Sequence, residues 1–474
     1  MAGRYIVKRF YSKLWIFALL LLIVLWPGGP AWCDVQVVPH TVRVGLMQNV
    51  SQVSIVLQGE YRLINVDTGQ VIGESGAGRW TVENANGLCR VLKDGAYVGL
   101  YNGPVKADGI AASEINILSG ADMLLSKDSP ADLTAQGADG FEYLGADRAG
   151  CYVLGESGSV KQLSRGGLNI AGVEKGGQLK HYRGSLEIRP AENGLTVINE
   201  LPIEQYLYGV VPAEMPVSFP EEALKAQAVA ARSYLLTQLG NYASYGFDVL
   251  DGQSSQMYQG YDGEKPASSM AVDATKGLVL TYRDRPVEAF FHSSSGGYTE
   301  NSEDVWGDAL GFIRTKEDFF DNNSKHYNWS VTYSAGELVT LVNRQLKQYV
   351  NSSGFTGLTG ITDLKVLEYT ASGQRVKKLS IEGIDVGGGP QAYTVANADR
   401  VRTVLGLCSA LFTMQKQTDD SGLISSITFT GSGLGHGLGM SQYGAAGWAD
   451  QGYSFQDILQ YYYTDIKLAE NYGM

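Results

Sequence analysis

Cysteine is scarce and positive charge is in deficit in this chain of 474 residues. The four cysteines are too few for a fold held together by a dense set of disulfides. The 37 Lys and Arg residues stand against 49 Asp and Glu residues, and the net charge of −12 argues against a general nucleic-acid-binding protein, which needs a basic surface. Internal repeats with recurring signature residues are also missing, which argues against a solenoid or a propeller. With 44% hydrophobic and 18% charged residues, the composition is that of an ordinary folded protein.

The N-terminal apolar run is too short for a typical membrane span. Four Lys and Arg residues precede apolar residues 14–26, and a span needs about 20 such residues. Helix-breaking residues 27–30 follow, and then a candidate cleavage site at 31–33. We therefore predict that residues 1–33 are a secretory signal peptide or a signal anchor. The rest of the chain is expected outside the cytoplasm, secreted to the cell envelope or anchored to the membrane by this segment alone.

Three cysteines remain after residue 33, and an odd number permits at most one internal disulfide. One pairing joins Cys89 to Cys151. The alternative is three buried thiols, including Cys408, that pack as small apolar side chains. Both interpretations stay open at the level of the sequence.

The pattern of apolar and turn-forming residues changes near residue 176. Residues 34–175 alternate short apolar runs with Gly, Asn and Asp turns, which predicts strands and a β-rich N-terminal module for binding or spacing. Residues 176–474 interleave strands and helices without regular βα alternation. The clearest helix covers residues 223–239, with capping-box spacing from Ser218 to Glu221. The pattern also predicts a helix near residues 336–349, a strand at 424–429 and a final helix that begins at Ser454, again with capping-box spacing to Asp457. The predicted class is α+β, a mixed catalytic domain preceded by the β-rich module.

One glutamate lies between two prolines. In the segment 212–216 (PAEMP), the prolines restrict the backbone around Glu214 and the neighbours are apolar. Desolvation in such a setting raises the pKa of a carboxyl group and suits it to general acid catalysis. The alternative is an ordinary glutamate in a surface loop.

Two cations follow on the predicted helix. Lys225 and Arg232 are seven residues apart and so share one face, which suits an anionic group such as a substrate carboxylate. Salt bridges to Glu221 or Glu222 are the alternative. Gln227 points about 160° away from Lys225, which assigns it to the structure unless that edge of the helix is buried in the site.

Two later loops carry histidine beside small residues. His292 leads into a hydroxyl-rich glycine loop that offers hydrogen bonds of the kind a sugar needs, and a simple turn is the alternative. His436 lies among glycines that would let a ligand approach the backbone, and a structural glycine hairpin is the alternative. The second loop lacks a phosphate-loop Gly-Lys-Ser/Thr, and no His-Glu-x-x-His metal motif occurs in the chain.

Four ordered segments carry a resemblance to a known family. Residues 210–216 (VVPAEMP), 223–234 (ALKAQAVAARSY), 291–297 (FHSSSGG) with 300–306 (ENSEDVW), and 435–444 (GHGLGMSQYG) strongly resemble stage II sporulation protein D and the related amidase-enhancer proteins. The resemblance covers about residues 180–465, some 60% of the chain. The N-terminal module lies outside it and looks more like the longer enhancer-type members.

The resemblance implies a peptidoglycan lytic transglycosylase that acts on glycan strands stripped of stem peptides, in cell-wall remodelling or sporulation. Glu214 would be the catalytic residue. Some relatives hold zinc through Cys and His between the helix and the first loop, but residues 248–261 (DVLDGQSSQMYQGY) supply neither, so we expect no metal and no other cofactor. The implied substrate-binding residues are Lys225, Gln227, Arg232, His292, Ser293, Ser294, Ser295, His436, Gln442 and Tyr443.

Three further functions stay open. The first is a non-catalytic enhancer that binds a cell-wall amidase or the wall itself, with Glu214 dispensable and the N-terminal module essential. The second is a hydrolase that uses two carboxylates, with Glu303 or Asp304 as the partner of Glu214. The third is a purely structural cell-wall protein. The expected partners are glycan strands and a cell-wall amidase, and no nucleic acid.

Overall fold

Strands dominate the part of the chain that the structure describes. The computed structural model describes residues 41–470, with gaps at 60, 75–77, 350–354, 356 and 373, and between 110 and 168 it describes only the backbone of short strands. The predicted signal in residues 1–33 therefore lies outside the described residues. Within the described part, no helix combines the length and apolar character needed to cross a membrane.

The described elements follow one another in this order. The strands are β1 (Thr41–Val50), β2 (Gln52–Gln58), β3 (Tyr61–Asn65), β4 (Val71–Glu74), β5 (Arg79–Ala85), β6 (Leu88–Lys93), β7 (Ala96–Tyr101), β8 (Val105–Gly109), β9 (Ile115–Leu118), β10 (Leu124–Lys127), β11 (Thr134–Gln136), β12 (Glu142–Leu144), β13 (Ala146–Asp147), β14 (Gly150–Leu154), β15 (Val160–Gln162), β16 (Ile170–Lys175), β17 (Gln178–Arg183), β18 (Ser185–Ala191), β19 (Gly194–Pro202), β20 (Val249–Leu250), β21 (Val279–Tyr282), β22 (Arg285–Pro286), β23 (Phe291–His292), β24 (Trp329–Ser334), β25 (Leu358–Tyr369), β26 (Val376–Asp385), β27 (Pro390–Ala396), β28 (Phe412–Thr418), β29 (Ile424–Gly431), β30 (Met440–Ser441) and β31 (Lys467–Ala469). The helices are α1 (Ile203–Glu214), α2 (Glu221–Gln238), α3 (Pro266–Ala274), α4 (Ser302–Val305), α5 (Ala335–Tyr349), α6 (Ala398–Val404), α7 (Gln442–Asp450) and α8 (Phe455–Tyr462).

Two large sheets share one hydrophobic core. The seven-stranded sheet has the order β20-β1-β19-β18-β8-β3-β4, and the six-stranded sheet has the order β17-β16-β2-β5-β6-β7. Along β1, Val42 and Val44 are buried, and along β2, Val53 and Ile55 are buried. This two-residue period is the pattern that predicted strands in the sequence. The buried side chains of both sheets pack in the same cluster as those of α1 and α2.

The α+β class and the β-rich character of the N-terminal region are confirmed. Strands from both sides of residue 175 share the sheets, because β1 pairs with β19, with Thr41 opposite Pro202, and β16 pairs with both β2 and β17. The division into a module at 34–175 and a domain at 176–474 stays a prediction.

Helix α2 is buried on nearly all sides. It contacts α1, α3, α7 and α8, and its many alanines allow neighbours on every side to come close. The capping box predicted at Ser218 is wrong, because Pro220 occupies the N-cap position and no side chain caps the helix. By contrast, Ser454 and Asp457 form the capping box that the sequence indicates for α8.

A second hydrophobic core lies between the two histidine loops in sequence. Residues 329–431, which we call the 329–431 lobe, comprise β24, α5, the sheet β25-β26-β27, α6, β28 and β29. Leu338, Val342 and Ile381 are fully buried in its core, together with Phe429. The sequence had indicated α5 and β29 within this stretch but not a separate core.

Cys89 is a free, buried thiol whose Sγ lies 3.9 Å from the carbonyl oxygen of Ile188. Cys408 is free and half-buried. Cys89 thus fits the buried-thiol alternative, and the side chain of Cys151 lies outside the described residues.

Candidate functional site

Glu214 is the last residue of α1, where the helix gives way to extended backbone at Met215. The side chain is half-buried, and its Oε1 accepts a hydrogen bond of 2.8 Å from the backbone N–H of Met257. Burial raises the pKa of this carboxyl group, and the bond from Met257 partly offsets that effect. Among the described residues, none donates a hydrogen bond to Oε2. The carboxyl group is therefore held by one oxygen and available at the other.

Two glutamines connect three helices behind Glu214. The Nε2 of Gln442, at the start of α7, donates to the backbone carbonyl of Glu214 at 3.0 Å and lies 3.3 Å from Oε1 of Gln227 on α2. Gln227 is fully buried, and its own Nε2 has no hydrogen-bond partner among the described residues. The edge of α2 that carries Gln227 is thus buried at the site. The sequence analysis assigned Gln227 to the structure unless that edge was buried in the site, and this condition is met.

Lys225 and Arg232 are both paired with carboxylates of the chain. Lys225 Nζ lies 2.6 Å from Glu221 and 2.9 Å from Glu222, which is the alternative that the sequence left open for it. Arg232 is 2% exposed and forms a two-pronged pair with Glu204 on α1, at 2.8 Å from Nε and 2.6 Å from Nη2.

Backbone carbonyls complete the surroundings of the Arg232 guanidinium. Its Nη1 donates to Leu278 at 3.2 Å and its Nη2 donates to Val272 at 3.3 Å. The guanidinium therefore joins α1, α2, the end of α3 and the start of β21. A contact with a substrate carboxylate would require some of these bonds to break.

A short parallel ladder brings the two histidine loops together. Strand β23 pairs with β30, with Phe291 opposite Met440 and His292 opposite Ser441. The backbone N–H of Tyr443 donates to the carbonyl of Ser293 at 3.0 Å. Because Gln442 directly follows this ladder, the ladder links both loops to the end of α1 that carries Glu214.

The two imidazoles lie side by side, with ring centres 5.4 Å apart. His292 is buried, with Nδ1 3.1 Å from the carbonyl of Leu438, and its Nε2 has no partner among the described residues. The Nδ1 of His436 accepts from the N–H of Leu438 at 3.0 Å, and the Trp306 ring lies 4.9 Å from the His436 ring. Burial holds the pKa of His292 well below its usual range and lowers that of His436 to about 4. Both rings are neutral near pH 7.

Ser294 and Ser295 are fully buried and bind protein atoms. Ser294 Oγ donates to Asp321 Oδ2 at 2.7 Å, and Ser441 Oγ donates to Oδ1 of the same residue at 2.6 Å. The N–H of Gly296 also donates to Oδ2, at 2.8 Å. Asp321 thus connects the first histidine loop to the end of the second through Ser294 and Ser441, whereas Ser295 Oγ accepts from the N–H of Gly297 at 3.1 Å. Of the hydroxyl run, Ser293 alone is half-buried.

A second buried carboxyl group, that of Asp318, accompanies Asp321. The hydroxyl of Tyr462 on α8 lies 2.9 Å from each of its oxygens. Burial, together with the nearby charge of Asp321, raises the pKa of Asp318 to about 7. Sequence reasoning missed both residues. The sequence feature that could have indicated them is the pair of acids on either side of two phenylalanines at 318–321 (DFFD). The same spacing is common on ordinary protein surfaces.

The glycines of the second loop pack against protein atoms. Gly435 has φ of +117°, and a Cβ there would lie 2.9 Å from Cβ of His292. A Cβ at Gly437 would lie 2.7 Å from the guanidinium carbon of Arg375. Arg375 is itself buried and paired with Glu300 at 3.2 Å. These contacts are the ones expected for a structural glycine hairpin. The buried ion pair of Arg375 and Glu300 was not predicted from the sequence.

The candidate second carboxylates are engaged elsewhere. Both oxygens of Glu303 bind Arg314, at 2.8 and 2.7 Å, and these bonds lower the pKa of Glu303. Asp304 pairs with Lys377 at 2.9 Å and accepts from the N–H of Ala371 at 2.8 Å. Both carboxylates are therefore paired with cations of the chain, and the two-carboxylate alternative stays a prediction.

A groove of about 410 Å³ opens beside the loop that follows Glu214. The rings of Phe219, from that loop, and Tyr443 meet edge to face with centres 5.1 Å apart. Small residues of α7 complete the wall, and polar side chains lie at the mouth. The lining residues used below are Ser218, Phe219, Asn323, Tyr443, Gly447 and Asp450.

In the described part of the chain, no three His, Cys, Asp or Glu side chains come together as a metal-binding group. The expectation that no metal is needed stays a prediction.

Comparison with known proteins agrees with the four motifs. Residues 191–282 match the family model described as stage II sporulation protein, and residues 304–439 match a domain of unknown function. Stage II sporulation protein D of Bacillus subtilis is 33% identical over 288 residues, which cover 58% of this chain and 76% of that protein. The amidase enhancer of B. subtilis is 34% identical over 298 residues, covering 55% of this chain and 40% of that protein. An uncharacterized protein of Brachyspira hyodysenteriae is 30% identical over 312 residues, covering 64% and 74%.

Proposed function

We propose that this chain, which belongs to the stage II sporulation protein D family, is a lytic transglycosylase that cleaves peptide-free glycan strands of peptidoglycan and leaves anhydro-muramic ends. The observation that carries the proposal is the setting of Glu214. Its carboxyl group ends a helix, is half-buried with a raised pKa, and keeps one oxygen free of donors among the described residues.

A raised pKa favours the protonated form that the first step needs. Glu214 donates its proton to the glycosidic oxygen as the bond from that oxygen to the muramic C1 breaks. A carboxyl group with an ordinary pKa would be almost fully ionised near pH 7 and would rarely carry this proton. The hydrogen bond from Met257 orients the carboxyl group and leaves the second oxygen for the substrate.

The same carboxylate completes the reaction. After losing its proton, Glu214 removes the proton of the muramic C6 hydroxyl while O6 bonds to C1, which closes the anhydro ring and restores the acid. No water is consumed, so no second carboxylate is required to activate one, whereas a hydrolase normally positions two. The ion pairs of Glu303 and Asp304 agree with this one-carboxyl scheme.

Gln442 acts in this proposal as a positioning residue. Its bonds to the Glu214 carbonyl and to Gln227 tie the end of α1 to α2 and α7. The neutral imidazoles of His292 and His436 and the half-buried Ser293 would offer hydrogen bonds without adding charge. The substrate-binding roles predicted for Lys225 and Arg232 stay predictions, since both are occupied by carboxylates of the chain.

The same proposal places the protein outside the cytoplasm. It rests on the charged and apolar pattern of residues 1–33 and on the cell-wall substrate. A cell-wall amidase is the proposed protein partner, because one relative is named an amidase enhancer.

That relative also supplies the competing function, a non-catalytic enhancer. One variant, Glu214→Gln, distinguishes the enhancer from the transglycosylase. If the chain is an enhancer, Glu214→Gln leaves its effect on an amidase intact and neither protein cleaves peptide-free glycan. If the chain is a transglycosylase, wild type cleaves that glycan without an amidase and the variant does not.

A further inference from the structure

The groove beside the loop that follows Glu214 presents unpartnered polar groups together with aromatic rings. Phe219 and Tyr443 are half-buried, whereas Ser218, Asn323 and Asp450 are exposed at the mouth. The side-chain polar atoms of Ser218, Asn323, Tyr443 and Asp450 make no hydrogen bond or ion pair with any described residue. Aromatic faces flanked by free hydroxyl, amide and carboxylate groups suit a pyranose ring, which has apolar C–H faces and a rim of hydroxyl groups.

The charge of the groove has one sign. Among the described residues that line it, Asp450 alone is charged, and Lys325, the cation nearest in sequence to this wall, is exposed and does not line the groove. Asp450 is also the last residue of α7, where the helix dipole disfavours a negative charge. The exposed carboxylate of Asp450 has no partner among the described residues and is therefore available to a ligand in the groove.

We propose that this groove is a saccharide subsite for an uncharged N-acetylhexosamine unit, and that Asp450 rejects the sugar that carries a lactyl carboxylate. The inference rests on the proposed function. A volume of about 410 Å³ is in the range of small-ligand sites and accommodates one such unit. Hydroxyl groups donate to Asp450 and exchange hydrogen bonds with Asn323, while the ring stacks on Phe219 or Tyr443.

The consequence is control of register. Neutral and anionic sugars alternate along a peptidoglycan strand, so a strand can lie in the site in two registers. The groove has a fixed position relative to Glu214, because Phe219 follows it on one loop and Tyr443 follows Gln442, which binds the Glu214 carbonyl. Admitting the neutral sugar at this position selects one of the two linkages for cleavage.

The test uses the full chain carrying Glu214→Gln, so that binding is measured without turnover. The probes are chitotetraose, which is neutral, and O-carboxymethylated chitotetraose, in which every sugar is anionic. We expect the anionic probe to bind at least about tenfold more weakly than the neutral one at low salt. Adding Asp450→Asn reduces that difference to less than about threefold. Adding Phe219→Ala weakens chitotetraose binding about tenfold.

Matched controls are Asp420→Asn, an exposed acid in the turn between β28 and β29, and Tyr97→Ala, a 61% exposed aromatic on β7. Neither should change either affinity. In an otherwise wild-type chain, Asp450→Asn should also produce cleavage at both linkages of peptide-free glycan, where wild type cleaves one.

The proposal is overturned if chitotetraose does not bind, or if Phe219→Ala and Asp450→Asn bind both probes as the parent does with unchanged unfolding midpoints. Loss of all cleavage chemistry would refute the proposed function alone, because the binding comparisons do not depend on turnover.

Discussion

Removing the Arg232 guanidinium tests whether that residue holds the fold or binds substrate. It is 2% exposed and donates twice to Glu204 and once each to the carbonyls of Leu278 and Val272. Arg232→Ala leaves the Glu204 carboxylate without its cation and removes one donor each from the carbonyls of Leu278 and Val272, of which the second still accepts from Thr275. Breaking a buried ion pair in this way costs about 3–5 kcal/mol of unfolding free energy.

Urea unfolding followed by tryptophan fluorescence measures this loss. A double-mutant cycle with Glu204→Gln should give a coupling energy of about 1–3 kcal/mol. Arg400→Ala is the matched control, because Arg400 is exposed and rests on the Tyr349 ring, and its effect should stay below about 1 kcal/mol. An Arg232→Ala loss below about 1 kcal/mol together with weaker binding of peptide-free glycan would refute this reasoning and support the carboxylate-binding role.

Three further predictions concern the buried acids and the glycine loop. The pKa of Asp318 is raised to about 7 in the folded state. The contribution of this residue to the free energy of unfolding is therefore complete below its unfolded pKa near 4 and is lost as pH rises towards 7. Relative to Asp318→Asn, wild type should lose up to about 4 kcal/mol of unfolding free energy in urea between these pH values. Gly439→Ala should destabilise the fold by at least about 2 kcal/mol more than Gly452→Ala. Both glycines have positive φ, but a Cβ at Gly439 would lie 2.0 Å from the Phe290 carbonyl oxygen, whereas a Cβ at Gly452 would have no atom within 4 Å. Equal losses of unfolding free energy in urea would contradict this prediction. Cleavage of peptide-free glycan should fall as pH rises through the pKa of Glu214, with a midpoint above the ordinary value of 4.5, and a profile flat through neutral pH would argue against Glu214 as the acid.

Local patterns in the sequence predicted the local elements. The alternation of Val42, Val44 and Leu46 indicated β1, and the Ser454 to Asp457 spacing indicated the capping box of α8. Helix α1 was missed because Pro212 lies inside it, and a proline within a segment is ordinarily a signal against a helix. The Ser218 cap failed for the related reason that Pro220 takes the N-cap.

Contacts between distant segments could not be read from the sequence. Asp321 binds Ser441 across 120 residues, and Gln442 binds the Glu214 carbonyl across 228. Arg232 looked like a ligand for an external carboxylate because its partner, Glu204, lies 28 residues earlier on a helix that the sequence did not reveal. The motifs therefore identified the residues of the site, and the partners of those residues depended on the fold.

The most direct test of the proposed function is cleavage of purified peptide-free glycan by wild type and Glu214→Gln, with the products identified by mass spectrometry. Glu192→Gln, an exposed glutamate between β18 and β19, is the matched control. Wild type and the control should release strands that end in anhydro-muramic acid, and Glu214→Gln should release none while unfolding at the same urea concentration. Equal cleavage by Glu214→Gln, or products heavier by one water at the reducing end, would contradict the assignment of Glu214 as the single acid and base.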